Sequence, residues 1–221
     1  MKQLIKNIFD LFGLELRRKI HAPLNNPVVY NSKENTDRFY SDERLVAVYE
    51  NDQRRSLYKS IITLISKKID LAKINSVADV SAGTGSLLKE FRQQFPEKKY
   101  SGFEMSDSAL ALCRKNNPDS RFDKADLYAG ISESFDLVLC IDTLEHLEHP
   151  EKALKNLMAS VSPGGFLFLV VPNGRFDTFE GHIHYWSPES FKLFIQNTGF
   201  TAFHSHFWPE YGEQALIIKK P

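Results

Sequence analysis

Hydrophobic positions set the first division of the chain. Leu4, Ile5, Ile8, Phe9, Phe12 and Leu16 recur every three or four residues, while Lys2, Lys6, Arg17, Arg18 and Lys19 supply a basic surplus. That spacing predicts an amphipathic helix over residues 1–20, which either packs on the domain behind it or lies in a membrane interface against anionic lipid. The stretch HAPLNNPVVYNSKEN, from His21 to Asn35, holds two prolines and four asparagines and predicts a linker reaching residue 40. A helical cap segment is expected over 41–70. From Val77 the pattern changes to short apolar or β-branched runs separated by helical stretches, the mark of a parallel sheet with crossover helices. Strands are predicted at Ser76–Ser81, Tyr100–Glu104, Arg121–Lys124, Phe135–Ile141, Gly165–Val171, Phe200–Phe207 and Gln214–Lys219. Helices are predicted at Ser86–Phe95, Asp107–Asn116 and Glu151–Val161, with a last one that Ser187 caps, Pro188 begins and Gly199 stops. Only Trp208–Gly212 joins the two final strands, so they should pair antiparallel rather than through a crossover.

Composition narrows the class. With 221 residues, 42% hydrophobic and 25% charged, the chain suits one sizeable α/β domain with attachments. Lys plus Arg (28) equals Asp plus Glu (28), so no overall field draws nucleic acid, which is disfavoured as a partner. The two cysteines, Cys113 and Cys140, sit in apolar stretches rather than in a disulfide or metal framework, which fits a reducing cytoplasm. No apolar run is long enough to span a bilayer, and Lys6, Asp10 and Glu15 interrupt the N-terminal stretch with no small-residue cleavage site after it. The expectation is a cytoplasmic protein whose first twenty residues offer a peripheral contact to the inner face of the membrane.

The first predicted strand runs directly into Ser81-Ala82-Gly83-Thr84-Gly85 and then into a helix. Without Cβ atoms at 83 and 85 the backbone can turn sharply and a flat ligand can lie against it. A dinucleotide site would want a third small residue at position 88, where this chain has Leu88, so a nicotinamide or flavin reading is weakened. The second strand ends at Glu104, twenty-five residues after Asp79, near the spacing at which an acidic side chain accepts hydrogen bonds from both hydroxyls of a ribose.

Over residues 70–220 these features together resemble the class I S-adenosylmethionine-dependent methyltransferases. The family's Asp-h-Gly-x-Gly-x-Gly turn is matched from Asp79 to Gly85, with Ser81 in place of the first glycine; its acidic second-strand end by Glu104; and its later Asp near the adenine by Asp126. The segment Ser134–His149 looks like the family's fourth strand beneath the methionine end of the cofactor, and Ser162–Pro172 like its fifth-strand hallmark. The resemblance implies a Rossmann-like doubly wound seven-stranded sheet, mostly parallel with an antiparallel last strand, occupying 71–221 behind the N-terminal helices. It also implies S-adenosylmethionine as cofactor, held by Asp79, Ser81, Ala82, Gly83, Thr84, Gly85, Glu104, Met105, Asp126, Leu127, Cys140, Ile141 and Asp142.

A sulfonium makes its methyl carbon electrophilic by itself, so the protein has to align a nucleophile and, for a hydroxyl acceptor, provide a base. His146 and His149 follow the fourth strand, and His182 and His184 follow the fifth, both beyond the sheet's carboxyl edge where ligands bind in open α/β sheets. His146, His182 and His184 are the candidate catalytic residues, and His182 and His184 share one side if their segment is extended. Asp142-Thr-Leu-Glu145-His146 resembles, with Asp for the first Glu, the Glu-x-x-Glu-His element with which some family members hold a divalent ion; the favoured reading has these residues cap the next helix or line the pocket, with no metal. The N-terminal run resembles leaders of bacterial methyltransferases that act in polysaccharide or lipid-linked sugar assembly. The expected activity is transfer of a methyl group to a hydroxyl of a small-molecule, sugar or lipid-linked acceptor. The alternative is a non-catalytic cofactor-binding or scaffold member of the same fold, for which Ser81 is the best support.

Overall fold

The computed structural model describes residues 31–201 and 203–221. The amphipathic helix expected over 1–20 and the first half of the linker after it lie outside the described residues. Helix α1 (Lys33–Ser41) begins inside the stretch expected as linker, because the Ser32 side chain accepts from the Asn35 backbone N–H and starts a helix where composition suggested a loop. The region 41–70 is not continuous: Asp42 caps α2 (Glu43–Tyr49) and Asn51 caps α3 (Asp52–Lys68). Each cap side chain bonds the new helix's free N–H groups and breaks the helix before it.

The sheet follows as β1 (Ser76–Val80), α4 (Ser86–Gln94), β2 (Lys99–Glu104), α5 (Asp107–Asn116), β3 (Arg121–Lys124), β4 (Phe135–Ile141), α6 (Pro150–Ala159), β5 (Val161–Pro172), α7 (Pro188–Asn197), β6 (Phe203–Trp208) and β7 (Glu213–Lys219). Its order is β3-β2-β1-β4-β5-β7-β6, and β7 alone runs against the rest. The order reverses at β1 and β4, which opens a crevice above their carboxyl ends. Several boundaries differ from expectation, three of them for a clear local reason. Ser81 leaves β1 because it adopts φ 67. Strand β5 starts at Val161, where Val161 pairs with Phe135 across a register shift. Strand β6 starts at Phe203 rather than Phe200, after the Phe200 N–H has bonded Ile195 O at the end of α7.

Side-chain alternation along the strands builds two cores. Leu137, Leu139 and Ile141 of β4 face α3, α4 and α5 together with Ile61, Ile65, Leu88 and Phe91. Val138 and Cys140 face α6 and α7 with Leu154, Leu157, Phe191 and Ile195. Burial on both faces makes the central strands nearly continuous apolar runs, which is why they were legible. Leu88 is fully buried between α4 and the sheet, where a dinucleotide fold would hold a small residue.

Candidate active site

The turn after β1 is built by backbone geometry. Ser81 and Ala82 donate their N–H groups to Phe103 O at 2.8 and 3.1 Å, tying the turn to β2, and Ser81, Gly83 and Gly85 all have positive φ. Gly85 N–H then donates to Ala82 O at 2.8 Å and Gly85 becomes the N-cap of α4. A left-handed serine costs about 1–2 kcal/mol relative to glycine, so the serine at 81 is a strained substitution inside an otherwise permissive turn. At Gly83 a Cβ would lie 2.9 Å from Tyr40 Oη, so α1 covers the turn closely.

Glu104 closes the turn from β2. One carboxylate oxygen accepts from Gly83 N–H at 2.9 Å; the other accepts from Met105 N–H at 2.8 Å and Ser106 N–H at 2.9 Å. Burial nevertheless pushes its pKa up. Asp79 lies beneath, its pKa raised to about 7 by burial and by the Glu104 charge. Helix α1 is pinned on top through Asp37, which accepts from Ser106 Oγ at 2.6 Å and Ser108 N–H at 3.2 Å. Although burial opposes it, these bonds and Lys33 hold the Asp37 carboxyl down at about 2.

From this turn a cavity of about 1460 Å³ runs across β1 and β4 to the loop after β5. Asp79, Ser81, Ala82, Gly83, Thr84, Glu104, Met105, Asp126, Leu127, Ile141 and Asp142, all expected at the cofactor, line it. Two expected residues do not. Cys140 points to the opposite face of the sheet and is packed in the α6/α7 core. Gly85 sits under α5, where a Cβ would meet Asn117 Nδ2 at 2.7 Å, so its bareness serves helix packing rather than ligand contact.

The far end gathers charge that no ordinary spacing rule predicted. Asp142, at φ 47 just past β4, is ion-paired to Arg54 of α3. Arg54 also donates to Tyr49 Oη and, at 3.1 Å, to Tyr58 Oη, with its guanidinium over both rings. Burial works against the Arg54 charge, but Tyr49 and Asp142 keep it protonated. Beyond Asp142 lie Glu145 and Glu213. Burial and the Asp142 charge raise both carboxyls, Glu213 to about 9.

His146 and His182 meet here, ring centroids 4.5 Å apart. Burial and the neighbouring His182 depress His146 to about 4, which leaves it neutral. The His182 Nδ1 lies 2.5 Å from Asp177 Oδ2, a partner five residues upstream that the sequence gave no reason to single out. His184 departs from expectation. The segment is a turn, with Ile183 and His184 N–H groups both bonded to Glu145 O, so the two histidines diverge. His184 Nε2 bonds Leu147 O at 2.9 Å and its ring stacks on Trp186, which fastens the loop outside the cavity. His149 likewise does not line the cavity; it lies beside Glu151. The loop is closed at its base: Gly174 N–H donates to Trp186 O at 2.8 Å, and Gln214 Nε2 bonds the same carbonyl at 2.6 Å. A Cβ at Gly174 would come within 2.2 Å of the Tyr185 backbone.

Residues 49–205 match a family model described as a methyltransferase domain. The chain belongs to the methyltransferase family, in the class I S-adenosylmethionine-dependent group. It is 26% identical over 129 residues to the trans-aconitate 2-methyltransferase of Variovorax paradoxus, covering 58% of this chain and 48% of that protein. It is also 26% identical over 121 residues to the ubiquinone biosynthesis O-methyltransferase of Coxiella burnetii, covering 52% of this chain and 50% of that one. In these alignments the chain spans about half the length of its curated relatives. Among solved structures, an O-methyltransferase family protein from Burkholderia thailandensis superposes with a TM-score of 0.67 at 14% identity, over 99% of this chain and 83% of its own, which shows the shared fold.

Proposed function

We propose that this methyltransferase transfers the methyl group of S-adenosylmethionine to a hydroxyl of a small-molecule, sugar or lipid-linked acceptor. The observation that carries the reading is the continuity of one cavity from the Gly83–Glu104 turn to the His146–His182 cluster. The turn fits an adenosyl group: Gly83, Glu104, Asp126 and Leu127 line the cavity on the side where a ribose and base belong. Asp79 and Asp142 flank the other side with carboxylates suited to an ammonium group. When bound, S-adenosylmethionine supplies a methyl carbon already activated by its sulfonium, so alignment and exclusion of water supply most of the rate.

An alcohol becomes a competent nucleophile only as its proton leaves. His146, His182 and Glu145 form the group that activates it. Asp177 holds the Nδ1 side of His182, which turns Nε2 toward Glu145 and the cavity. Ubiquinone biosynthesis O-methyltransferase among the relatives favours oxygen as the acceptor atom.

Tritiated-methyl transfer into fractionated lysate identifies the acceptor class, and titration with S-adenosylhomocysteine measures the cofactor end separately. His182→Ala is expected to leave S-adenosylhomocysteine affinity within about twofold and to lower turnover by roughly a hundredfold or more, the usual worth of a positioned acid or base. Unchanged turnover in that variant removes the cluster from the mechanism. Binding without transfer to any fraction favours the non-catalytic alternative.

A further inference from the structure

We infer that the acceptor end of the cavity takes a molecule bearing an ammonium group beside the hydroxyl to be methylated, with Glu145 and Glu213 receiving the ammonium. The identity of the methylated atom rests on the proposed function; the docking of the amine does not.

Unmade hydrogen bonds are concentrated at this end. Among the described residues, the buried side-chain oxygens and nitrogens without a hydrogen-bond partner are Asp142 Oδ1, both oxygens of Glu145, and Glu213 Oε2. All three carboxyls line the cavity. Glu145 is 1% exposed, and a buried carboxyl in that condition is costly until a donor faces it. The neighbouring imidazoles do not serve: His146 Nε2 and His182 Nε2 each stand 3.9 Å from Glu145 Oε1, beyond hydrogen-bond range, and His182 Nδ1 is engaged by Asp177.

Charge decides what kind of donor fits. Asp142, Glu145, Asp177 and Glu213 gather around Arg54, whose guanidinium is already taken by Asp142, Tyr49 Oη and Tyr58 Oη. The other arginine that lines the cavity, Arg38, follows Asp37, which is fixed to Ser106 and Ser108 at the cofactor end. The single ammonium of the cofactor is matched by Asp79 and Asp142, which leaves Glu145 and Glu213 over. A hydroxyl brings one donor and no charge, whereas an ammonium brings three donors and makes charge-assisted bonds about twice as strong. Burial and the Asp142 charge raise both carboxyls, Glu213 to about 9, so they hold their protons until a cation stands beside them. An acceptor carboxylate would meet like charge here and is rejected.

A docked ammonium has no lone pair, so it is not the nucleophile. The hydroxyl beside it faces His146 and His182, whose rings lie 4.5 Å apart. Its oxygen bonds the methyl carbon as the sulfur–methyl bond breaks, its proton passes to this imidazole pair, and a neutral thioether remains.

The test uses the full chain saturated with S-adenosylhomocysteine and titrated by calorimetry with three probes of one shape: 2-aminocyclohexanol, cyclohexane-1,2-diol and 2-hydroxycyclohexanecarboxylate. The amino alcohol is expected to bind at least about tenfold tighter than the diol, and the carboxylate not measurably. Glu213→Gln, outside the group that activates the hydroxyl, should remove most of that preference and leave S-adenosylhomocysteine affinity within about twofold. Equal binding of amino alcohol and diol by the parent chain overturns the inference without recourse to any variant. So does a Glu213→Gln chain that keeps the preference, or one that loses S-adenosylhomocysteine instead, which would assign Glu213 to the cofactor. Transfer is scored separately: the tritiated product formed in lysate should stay on a cation exchanger at neutral pH until its amine is acetylated. A neutral or anionic product overturns the amine, whereas a retained product labelled on nitrogen overturns the hydroxyl as methylated atom and leaves the docking in place.

Discussion

Arg54 joins the helical cover to the sheet through one ion pair, and its removal gives a sharp test. The Arg54 and Asp142 side chains are 13% and 12% exposed, and Asp142 also faces the buried carboxyls of Glu213 and Glu145. Arg54→Met keeps the apolar stem of the side chain but leaves the Asp142 charge without its cation and strands Tyr49 and Tyr58. Breaking a buried pair from one side costs about 3–5 kcal/mol. For a chain of this length each kcal/mol moves Tm by about 2–4 °C, so a drop on the order of 10 °C is expected. The double variant Arg54→Met/Asp142→Asn removes the stranded charge and should recover at least half of the loss, a coupling of about 2 kcal/mol or more in a double-mutant cycle. Urea unfolding of the parent, both single variants and the double variant measures it. A double variant as unstable as the sum of the singles would refute the pairing as the source of the stability.

Three further outcomes follow from the turn. Glu104→Gln replaces an acceptor of three backbone N–H bonds by an amide that must turn an NH₂ toward one of them, and should weaken S-adenosylhomocysteine more than tenfold by calorimetry, about 1.4 kcal/mol or more; unchanged affinity would dissociate this carboxylate from the ligand. Gly85→Ala combines a left-handed φ with a 2.7 Å clash on Asn117 and should destabilise by about 2–4 kcal/mol, read as a lowered urea midpoint. Asp79, raised to about 7, binds its proton more tightly folded than unfolded. Its contribution is full below the ordinary carboxylate range and is lost as pH climbs to about 7, up to about 4 kcal/mol in all. Asp79→Asn should therefore gain on the parent between pH 4.5 and 7.5 in urea unfolding; a constant difference would place the Asp79 pKa elsewhere.

The sheet was legible because central strands buried on both faces leave unbroken apolar runs, and the glycine turn because its backbone conformation restricts which residues can stand there. Even so, Ser81 shows that the left-handed position tolerates a side chain that the motif does not normally carry. Cys140 was misplaced by treating neighbours along β4 as equivalent, although alternation puts it on the face opposite Ile141. His184 was misplaced for the complementary reason: the two-residue periodicity of a strand was applied to a segment that Glu145 O draws into a turn. Helix α1 was hidden by its asparagine-rich approach. Arg54, Asp177 and Glu213 were invisible as site residues because only tertiary packing brings them to Asp142, His182 and Glu145; nothing local distinguishes them.

The closed neck at Gly174 and Trp186 has an evolutionary corollary. A loop whose two feet are bolted together can change its interior length and chemistry without passing the disturbance to the strands that carry it. Phe176, Asp177, Phe179 and His182, which line the acceptor end, all belong to that interior. Exchanging residues 175–185 for the corresponding segment of another methyltransferase would test this: under the proposed methyl transfer, the choice of acceptor is expected to shift with the insert while S-adenosylhomocysteine affinity stays that of the host.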